Sequence, residues 1–430
     1  MNPAERAKAA ERWDSLLREG TLPYWYRTTM SPAGGYQLFD RGKAPDNRRQ
    51  SWRGMITSLF SARKNNRRVA ALRGLISQAR ILWVFSRAHC LGYSDPGQDY
   101  LQAADHGYSY FVESLLDREH GGFYWKADTN CGVTEPRKFL VGQAFAIFAL
   151  VEYHRASRLF DPLHHALSVY QVVQEKLHDP IHRGWLEQAE PDWKLLTGVG
   201  LSLPHTPGLI GFKSADAHLH WFEALAELYA VTNDSSIRNS LIEVLELLKT
   251  TFFSPDAYKC CEYRWPDWEW IDDARYQGFD YGHLVEFAWL MLHAENILEL
   301  PLSWDHFNRL LSYCLKYGFD HDRGGFYFRG LANQPAFDTD KIWWAQAEGL
   351  AALTDAATQP SAREDAAALD LLVSWIFNYQ IRSDDGIWIW STDSAGHPKN
   401  FTKAAEWKAA YHEFRAITKF IHGFAPSLAT

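Results

Sequence analysis

Two kinds of helical pattern alternate along the chain. The segment 139–151, FLVGQAFAIFALV, is apolar on nearly every face, which is typical of a helix that is buried on both sides. The pattern that follows, 162–177, gathers its apolar residues on one face, which is typical of an outer layer. The sequence predicts four such helix pairs, at 137–154 with 161–177, 217–231 with 236–251, 281–298 with 303–317, and 341–357 with 362–378.

A short turn segment separates the helix pairs and recurs six times. Each copy places acidic or turn residues before a glycine and then aromatic residues, as in DREHGGFYW at 117–125 and DHDRGGFYF at 320–328. The other copies lie at 31–40, 179–187, 254–263 (which lacks the glycine) and 383–390. One unit that returns about every 60 to 90 residues indicates an array of a single supersecondary element.

Six such units predict an all-α fold, an (α/α)6 barrel of six helical hairpins. The aromatic turn segments would then form short β-hairpins at one mouth of the barrel. An open helical solenoid would use the same units, but six similar units close naturally into a ring. We therefore expect one barrel domain over residues 1–430, with a basic insertion or lid at about 41–70.

Composition and charge narrow the class of protein. Hydrophobic residues make up 47% and charged residues 22% of the chain, as in folded globular proteins. The net charge of -8 argues against nucleic acid or an anionic membrane as a partner. The aromatic fraction of 15% suits either core packing or stacking on sugar rings.

Location and oligomeric state are predicted from the same data. No apolar run approaches the roughly 18 residues that a membrane span needs, and the first residues lack an apolar signal core. Five scattered cysteines, without the spacing of a structural zinc site, suit a reducing compartment. We expect a cytoplasmic monomer or homodimer that acts on a small molecule.

Polar residues on the inner helices are the candidates for chemistry. His220 shares a helix face with Glu223, and His283 shares one with Glu286, because each pair is spaced i, i+3. A further histidine, His412, lies in YHEFR (411–415), where we expect another inner helix to start. One buried histidine is more often a core residue, but three near the starts of inner helices favour a catalytic site. A neutral imidazole suits removal of a proton from a carbon beside a carbonyl group.

Other chemistries remain open from the residues alone. Two His-x-x-Glu pairs are similar to those of di-iron bundles, and Glu348 would supply a further ligand, although such sites need a carboxylate-rich ligand set. Glycoside hydrolysis needs two carboxylates across the scissile bond, and Asp216, Glu286 and Glu348 are available. A non-catalytic adaptor would have no need of the three histidines.

Seven motifs resemble those of the N-acylglucosamine 2-epimerase superfamily, which includes cellobiose 2-epimerases, mannose 2-epimerases and mannose isomerases. They are QARILW (78–83), HGGFYW (120–125), GQAFAIFAL (142–150), HLHWFEAL (218–225), GHLVEFAWLML (282–292), WWAQAE (343–348) and WKAAYHEFRA (407–416). The resemblance covers roughly residues 10–422. It implies an (α/α)6 barrel enzyme that uses no redox cofactor.

The resemblance also implies roles for individual residues. His283 and His412 would form the acid/base pair, and Glu286 would orient or tune His283. His220 would assist opening of the sugar ring, and Arg80 would stabilise the charge of an enediolate. The remaining predicted substrate contacts are Asp216, His218, Glu348 and two sugar-stacking residues, Trp344 and Trp407; no metal site is predicted.

The implied reaction is ring opening, removal of the C2 proton to give a cis-enediolate, and reprotonation. Reprotonation of C2 on the other face gives the 2-epimer, and reprotonation of C1 gives the ketose. The chain departs from cellobiose epimerases at Val141, Asp216, Ala345 and the pair Ala409–Ala410. These departures favour mannose and glucose as the expected sugars. The alternatives are mannose–fructose isomerisation, cellobiose 2-epimerisation, a phosphorylated or sulfonated sugar captured by the 41–70 stretch, and glycoside hydrolysis.

Overall fold

The computed structural model describes residues 1–38, 72–94, 97–254 (apart from 197, 199 and 201–206), 260–359, 365–381 and 385–428. The predicted basic insertion at 41–70 lies outside these ranges, and so do residues 255–259, half of the fourth turn segment. Within the described ranges, none of the helices is long and apolar enough to cross a membrane.

Six helices form the inner ring of the barrel. They are α3 (Leu75–Cys90), α5 (Leu140–Ser157), α7 (Ala215–Thr232), α9 (Tyr281–Ile297), α11 (Trp343–Thr358) and α13 (Tyr411–Phe424). Each inner helix contacts the next one along the chain, and α13 contacts α3, so the ring is closed. The fold is therefore the predicted (α/α)6 barrel. Helices α5 and α9 are buried along nearly their whole length, as the all-round apolar pattern predicts.

The outer helices pack against this ring. They are α1 (Pro3–Leu16), α2 (Leu22–Thr29), α4 (Tyr100–Tyr110), α6 (Asp161–Lys176), α8 (Ser235–Leu247), α10 (Trp304–Gly318) and α12 (Asp365–Trp375). Four of them run into a single π-helical turn, at Leu17–Thr21, Phe111–Leu115, Leu248–Phe252 and Ile376–Gln380, and short 3₁₀ turns lie at Ala274–Tyr276 and Pro426–Leu428. Helix α1 packs on α13, so the two ends of the chain together complete the sixth hairpin.

Short antiparallel strands lie at the mouth from which the inner helices start. They are β1 (Leu72–Gly74), β2 (Lys126–Asp128), β3 (Val133–Glu135), β4 (Lys138–Phe139), β5 (Gln188–Ala189), β6 (Lys213–Ser214), β7 (Tyr263–Arg264), β8 (Phe279–Asp280), β9 (Arg329–Gly330), β10 (Lys341–Ile342), β11 (Ser391–Thr392) and β12 (Pro398–Asn400). The pairings are β1–β2–β3, β4–β5, β6–β7, β8–β9 and β10–β11–β12. Strands β1, β4, β6, β8 and β10 each lead directly into an inner helix, which fixes where that helix begins.

A glutamine at the fourth position of an inner helix fastens the turn segment to the barrel in three units. The amide of Gln143 accepts a hydrogen bond from Phe123 N at 2.8 Å and donates one to Phe123 O at 2.9 Å. Gln346 makes the same pair of bonds to Phe326 at 2.8 and 2.7 Å. Gln78 makes them to Tyr36 at 2.7 Å. These bonds satisfy backbone groups that are buried beneath the mouth.

A buried lysine provides a second fastening. Lys138 Nζ lies 2.7 Å from Asp117 Oδ2, and Lys341 Nζ lies 2.8 Å from Asp320 Oδ2. Lys213 pairs with Asp179 in the same way at 2.9 Å. In each case the lysine lies in the strand before an inner helix and the aspartate begins the turn segment. The mouth of the barrel is therefore a rigid rim on which functional side chains can be held.

Candidate active site

Most of the predicted site residues share two positions of the inner helices. These positions are the second and the sixth, which lie about one turn apart and therefore face the same way. The second-position residues are Asp216, Trp344 and His412, and the sixth-position residues are Arg80, His220, Glu286 and Glu348. His283 occupies the third position of α9. The repeat thus brings residues from five inner helices to one end of the barrel.

His283 is held by carboxylates from two different units. Its Nδ1 lies 3.2 Å from both carboxylate oxygens of Glu262, and its Nε2 lies 3.6 Å from Asp216 Oδ1. Burial opposes the charged form of the ring, but Glu262, Asp280 and Asp216 together raise the pKa of His283 to about 10. At neutral pH this imidazole is protonated and able to donate.

His412, on α13, is held by a carboxylate of the neighbouring helix α11. Its Nδ1 lies 2.6 Å from Glu348 Oε1, and only 4% of the residue is exposed. Burial lowers the pKa of His412; the bonded Glu348 carboxylate works against this, whereas the Arg80 and Arg415 guanidinium groups add to it, leaving the pKa at about 3. At neutral pH this imidazole is neutral and able to accept a proton.

Trp344 lies beside both imidazoles. The centroid of its ring is 4.8 Å from that of His283 and 6.0 Å from that of His412. The two histidines therefore border the same small region, with an aromatic face alongside. A sugar stacked on that face would be within reach of a proton donor and a proton acceptor.

His220 completes the group of histidines. Its Nε2 lies 3.4 Å from Asp216 Oδ1 and its Nδ1 lies 3.3 Å from Glu223 Oε2. Burial disfavours the imidazolium, but the two carboxylates raise the pKa of His220 to about 9. Asp216 is the most open member of this group, with 37% of its side chain exposed, and it connects His220 to His283.

Arg80 lies near His412, whose pKa its guanidinium helps to lower. Its Nη1 donates to the carbonyl oxygen of Trp407 at 2.5 Å, and its guanidinium lies 4.6 Å from the ring centroid of Phe145. The structure therefore brings together both predicted acid/base histidines, His220, Asp216, Arg80, Trp344 and Trp407, as the sequence predicts.

Glu286 does not make the contact with His283 that the sequence predicts. Its Oε1 accepts from Arg415 Nη2 at 2.8 Å, and His283 Nδ1 donates to Glu262 instead. The prediction that Glu286 orients His283 is corrected here, because the guanidinium of Arg415 offers this buried carboxylate a charged partner. Burial and the nearby Glu348 carboxylate raise the pKa of Glu286 to about 7.

Two residues that were expected to contact substrate instead make hydrogen bonds within the protein. His218 is fully buried, with Nδ1 2.9 Å from Ser214 O and Nε2 3.2 Å from Trp185 N. It occupies the fourth helix position, where other units use the fastening glutamine. Glu348 is also fully buried and bonds His412, Arg415 and Trp289. The prediction that these two residues bind substrate is therefore corrected.

Two groups of side chains have the composition of metal ligands. The donor atoms of Glu262, Asp280 and His283 lie within 4.8 Å of one another, and so do those of Glu286, Glu348 and His412. In the second group Arg415 already donates to both carboxylates, at 2.8 Å each. A fixed cation between those carboxylates disfavours a metal ion there, since the two positive charges would repel each other.

The sequence prediction missed two residues of the site, Glu262 and Arg415. Arg415 is three residues after His412 and shares its helix face, so the i, i+3 spacing could have indicated it. Glu262 accepts a hydrogen bond from Asp280 N, just as Glu187 accepts one from Ser214 N one unit earlier. Comparison of the repeats would have indicated Glu262, although its copy of the turn segment is the most divergent.

Comparison with known proteins finds one matching family and several relatives. The family model of N-acylglucosamine 2-epimerase (GlcNAc 2-epimerase) matches residues 62–416. The cellobiose 2-epimerase of Dictyoglomus turgidum is 27% identical over 359 residues, which cover 82% of this chain and 87% of that protein. The D-mannose isomerase of Marinomonas mediterranea is 22% identical over 423 residues, which cover 93% of each chain.

Solved structures share the architecture. The cellobiose 2-epimerase of Spirochaeta thermophila superposes with a TM-score of 0.81 at 24% sequence identity. The superposition covers 99% of this chain and 98% of that chain. This likeness shows a common (α/α)6 barrel.

Proposed function

Because the chain belongs to the N-acylglucosamine 2-epimerase family and is a carbohydrate epimerase or isomerase, we propose that it catalyses 2-epimerisation of a reducing aldose by two-histidine acid/base chemistry. The observation that carries this proposal is the pair of imidazoles beside Trp344, His283 among carboxylates and His412 near two guanidinium groups. Epimerisation at C2 needs a proton acceptor and a proton donor on opposite faces of a planar enediolate.

The proton transfers follow from the charge states of the two histidines. Neutral His412 takes the proton from C2 of the open-chain aldose. The electron pair of the broken C2–H bond then forms the C1–C2 double bond of the enediolate. Protonated His283 then gives a proton to the other face of C2, which yields the 2-epimer. The two histidines end with their protonation states exchanged, and exchange with solvent resets them for the next turnover.

Three other residues support these steps. The Arg80 guanidinium stabilises the negative charge that develops on the enediolate oxygens. Formation of this charge is the largest energetic cost of removing a proton beside an aldehyde. His220, protonated between Asp216 and Glu223, donates to the ring oxygen when the sugar opens. Trp344 and Trp407 provide the faces on which the sugar stacks.

Cellobiose is the first substrate to test. The Dictyoglomus turgidum cellobiose 2-epimerase shares 27% identity with this chain, against 22% for the mannose isomerase of Marinomonas mediterranea. This order favours cellobiose over the free mannose and glucose that the sequence departures favour. Mannose–glucose epimerisation remains the second candidate because Asp216 stands where cellobiose epimerases usually carry asparagine.

Proton NMR of the reaction products tests the proposal directly. The purified protein is incubated separately with cellobiose, mannose, glucose and fructose. We expect a new anomeric signal from the 2-epimer of cellobiose or of mannose. Fructose formed from mannose would identify an isomerase, and free glucose released from cellobiose would identify a hydrolase; either result would replace the proposed reaction.

Variants of the two histidines test the mechanism. His283→Ala and His412→Ala should each abolish turnover, since either one leaves C2 without a donor or an acceptor. The matched control is His422→Ala, on the same helix as His412 but at the other end of the barrel. Circular dichroism shows whether each variant retains its fold. Activity like that of the wild type in either catalytic variant would exclude the two-histidine mechanism.

A further inference from the structure

Arg415 is the single cation that three buried carboxylates share. Its guanidinium donates to Glu286 and Glu348 at 2.8 Å each and also bonds Glu223. Only 9% of its side chain is exposed. The three glutamates come from helices α7, α9 and α11, so Arg415 on α13 connects four inner helices at one level of the barrel.

The cluster of Arg415 and its three glutamates includes Glu348, the carboxylate that is bonded to His412. Burial would raise the pKa of Glu348, but Arg415 and the bonded His412 lower it to about 2, so Glu348 stays ionised. The charged or titratable groups that face His412 are Arg80 from α3, Glu286 from α9, Glu348 from α11, and Tyr411 and Arg415 from its own helix. Two cations therefore oppose two carboxylates around an imidazole that has to accept a proton.

A cavity at the opposite mouth of the barrel reaches the same cluster. It has a volume of about 550 Å³, and its wall includes Glu223 and Arg415. The other wall residues include Arg155, Glu227 and His293, which lie toward the ends of their inner helices. Arg415 thus separates the proposed sugar site from a second opening, which we call the far cavity.

We infer that Arg415 is a positioning residue of the proposed epimerase, which through Glu348 keeps His412 free to accept the C2 proton. The inference rests on the proposed function. Arg415 touches neither the sugar nor its reacting atoms; it acts by compensating the charge of Glu348. Without that compensation, the negative charge beside His412 Nδ1 would hold a proton on the imidazole.

The pH profile of Arg415→Ala tests the inference, with whichever sugar the wild type epimerises. The acid limb of kcat/KM should move to higher pH, because His412 binds its proton more tightly. At the acid end of the profile, where the wild type is still active, we expect a loss of about tenfold or more that recovers as the pH rises. The matched control is Arg155→Ala, which removes another cation from the far cavity and should leave the acid limb in place.

Chemical rescue makes the test specific to the far cavity. Guanidinium ion should restore the Arg415→Ala enzyme, because truncation opens a space of the right charge at the cavity wall. The ion enters by the far mouth, so rescue should be non-competitive with the sugar. Neither the wild type nor Arg155→Ala should be activated by guanidinium.

Three results would overturn the inference: a wild-type profile, a loss that is equal at every pH, or the absence of rescue. If Arg415→Ala does not fold, a triple variant with Arg415→Met, Glu223→Gln and Glu286→Gln replaces it. This variant removes the cation together with two of its three carboxylate partners, so Glu348 is the carboxylate of the cluster that remains. The same shift of the acid limb is then expected. A wild-type enzyme that epimerises no sugar would contradict the proposed function itself, which separates the two failures.

Discussion

The surroundings of His283 and His412 differ in a way that suits the two roles proposed for them. Each ring has a carboxylate at Nδ1, Glu262 in one case and Glu348 in the other. His283 has further carboxylates and no compensating guanidinium among its principal neighbours, whereas His412 has Arg80 and Arg415. The difference in net charge, more than the hydrogen bond itself, separates the donor from the acceptor.

Removal of the carboxylate beside His283 should move the alkaline limb of the pH profile. Glu262 stabilises the imidazolium, so Glu262→Gln lowers the pKa of His283 from about 10 and loses the protonated donor at lower pH. The alkaline limb of kcat/KM should shift toward neutral pH. Glu187→Gln, the equivalent change one unit earlier, should leave it in place. An unchanged limb in Glu262→Gln would contradict the assigned pairing.

His218 and His220 should respond differently to the same substitution. Glutamine can reproduce both contacts of His218, because Gln346 makes a bond to Phe326 N and a bond to the carbonyl four residues earlier at Ile342. His218→Gln should therefore keep kcat/KM within a few-fold of the wild type. His220→Gln should lose about 100-fold, since glutamine supplies no acid. Steady-state kinetics of both variants decide the matter.

The sequence predicts the residues of the site better than their partners. The histidines, Arg80 and Trp344 follow from motif and helix spacing, because both are properties of one segment. The pairing of Glu286 with His283 was predicted from the same spacing and is wrong, because Arg415 approaches Glu286 from another helix. Contacts between segments depend on the relative rotation of helices, which spacing within one helix does not specify.

At the scale of elements, the repeat predicts the barrel but not its closure by the chain ends. Alternating inner and outer patterns indicate the helix pairs, and the structure has them within a few residues. The pairing of α1 with α13 joins segments nearly 400 residues apart, and neither carries a signal for the other. The sequence also does not predict the lysine and glutamine bonds that hold the turn segments to the barrel. A hydropathy pattern assigns lysine and glutamine to the surface, although these residues are buried.

The lysine fastenings should be important for stability. In Lys341→Met, Asp320 loses the partner of a buried ion pair, and such losses typically cost about 3–5 kcal/mol. We expect the free energy of unfolding to fall by about that amount in chemical denaturation. Lys341→Met combined with Asp320→Asn should recover part of the loss, because no uncompensated charge remains. A single variant as stable as the wild type would show that the pair contributes nothing.

At the scale of the whole molecule, the barrel separates two ends with different surroundings. One mouth holds the histidines on a rim of short strands, and the other opens into the far cavity. The charged cluster around Arg415 lies between them and contacts both. The barrel therefore provides an enclosed, preorganised site of the kind that the proposed deprotonation needs.

Catalysis without a metal ion is the next prediction for the whole enzyme. The mechanism assigns stabilisation of the enediolate to Arg80 and the proton transfers to histidines. Dialysis against a chelator should leave kcat and KM unchanged. If activity were lost and then restored by an added divalent metal, the groups around His283 and Glu286 would have to be treated as metal ligands.

The fate of the C2 hydrogen tests the central claim most directly. The enzyme is incubated with cellobiose, or with mannose if that is the sugar it epimerises, in D2O, and the epimer is analysed by proton NMR. His283 carries a proton that exchanges with solvent, so the account predicts deuterium at C2 of the newly formed epimer. An epimer that retains its original hydrogen at C2 would contradict proton transfer between two histidines.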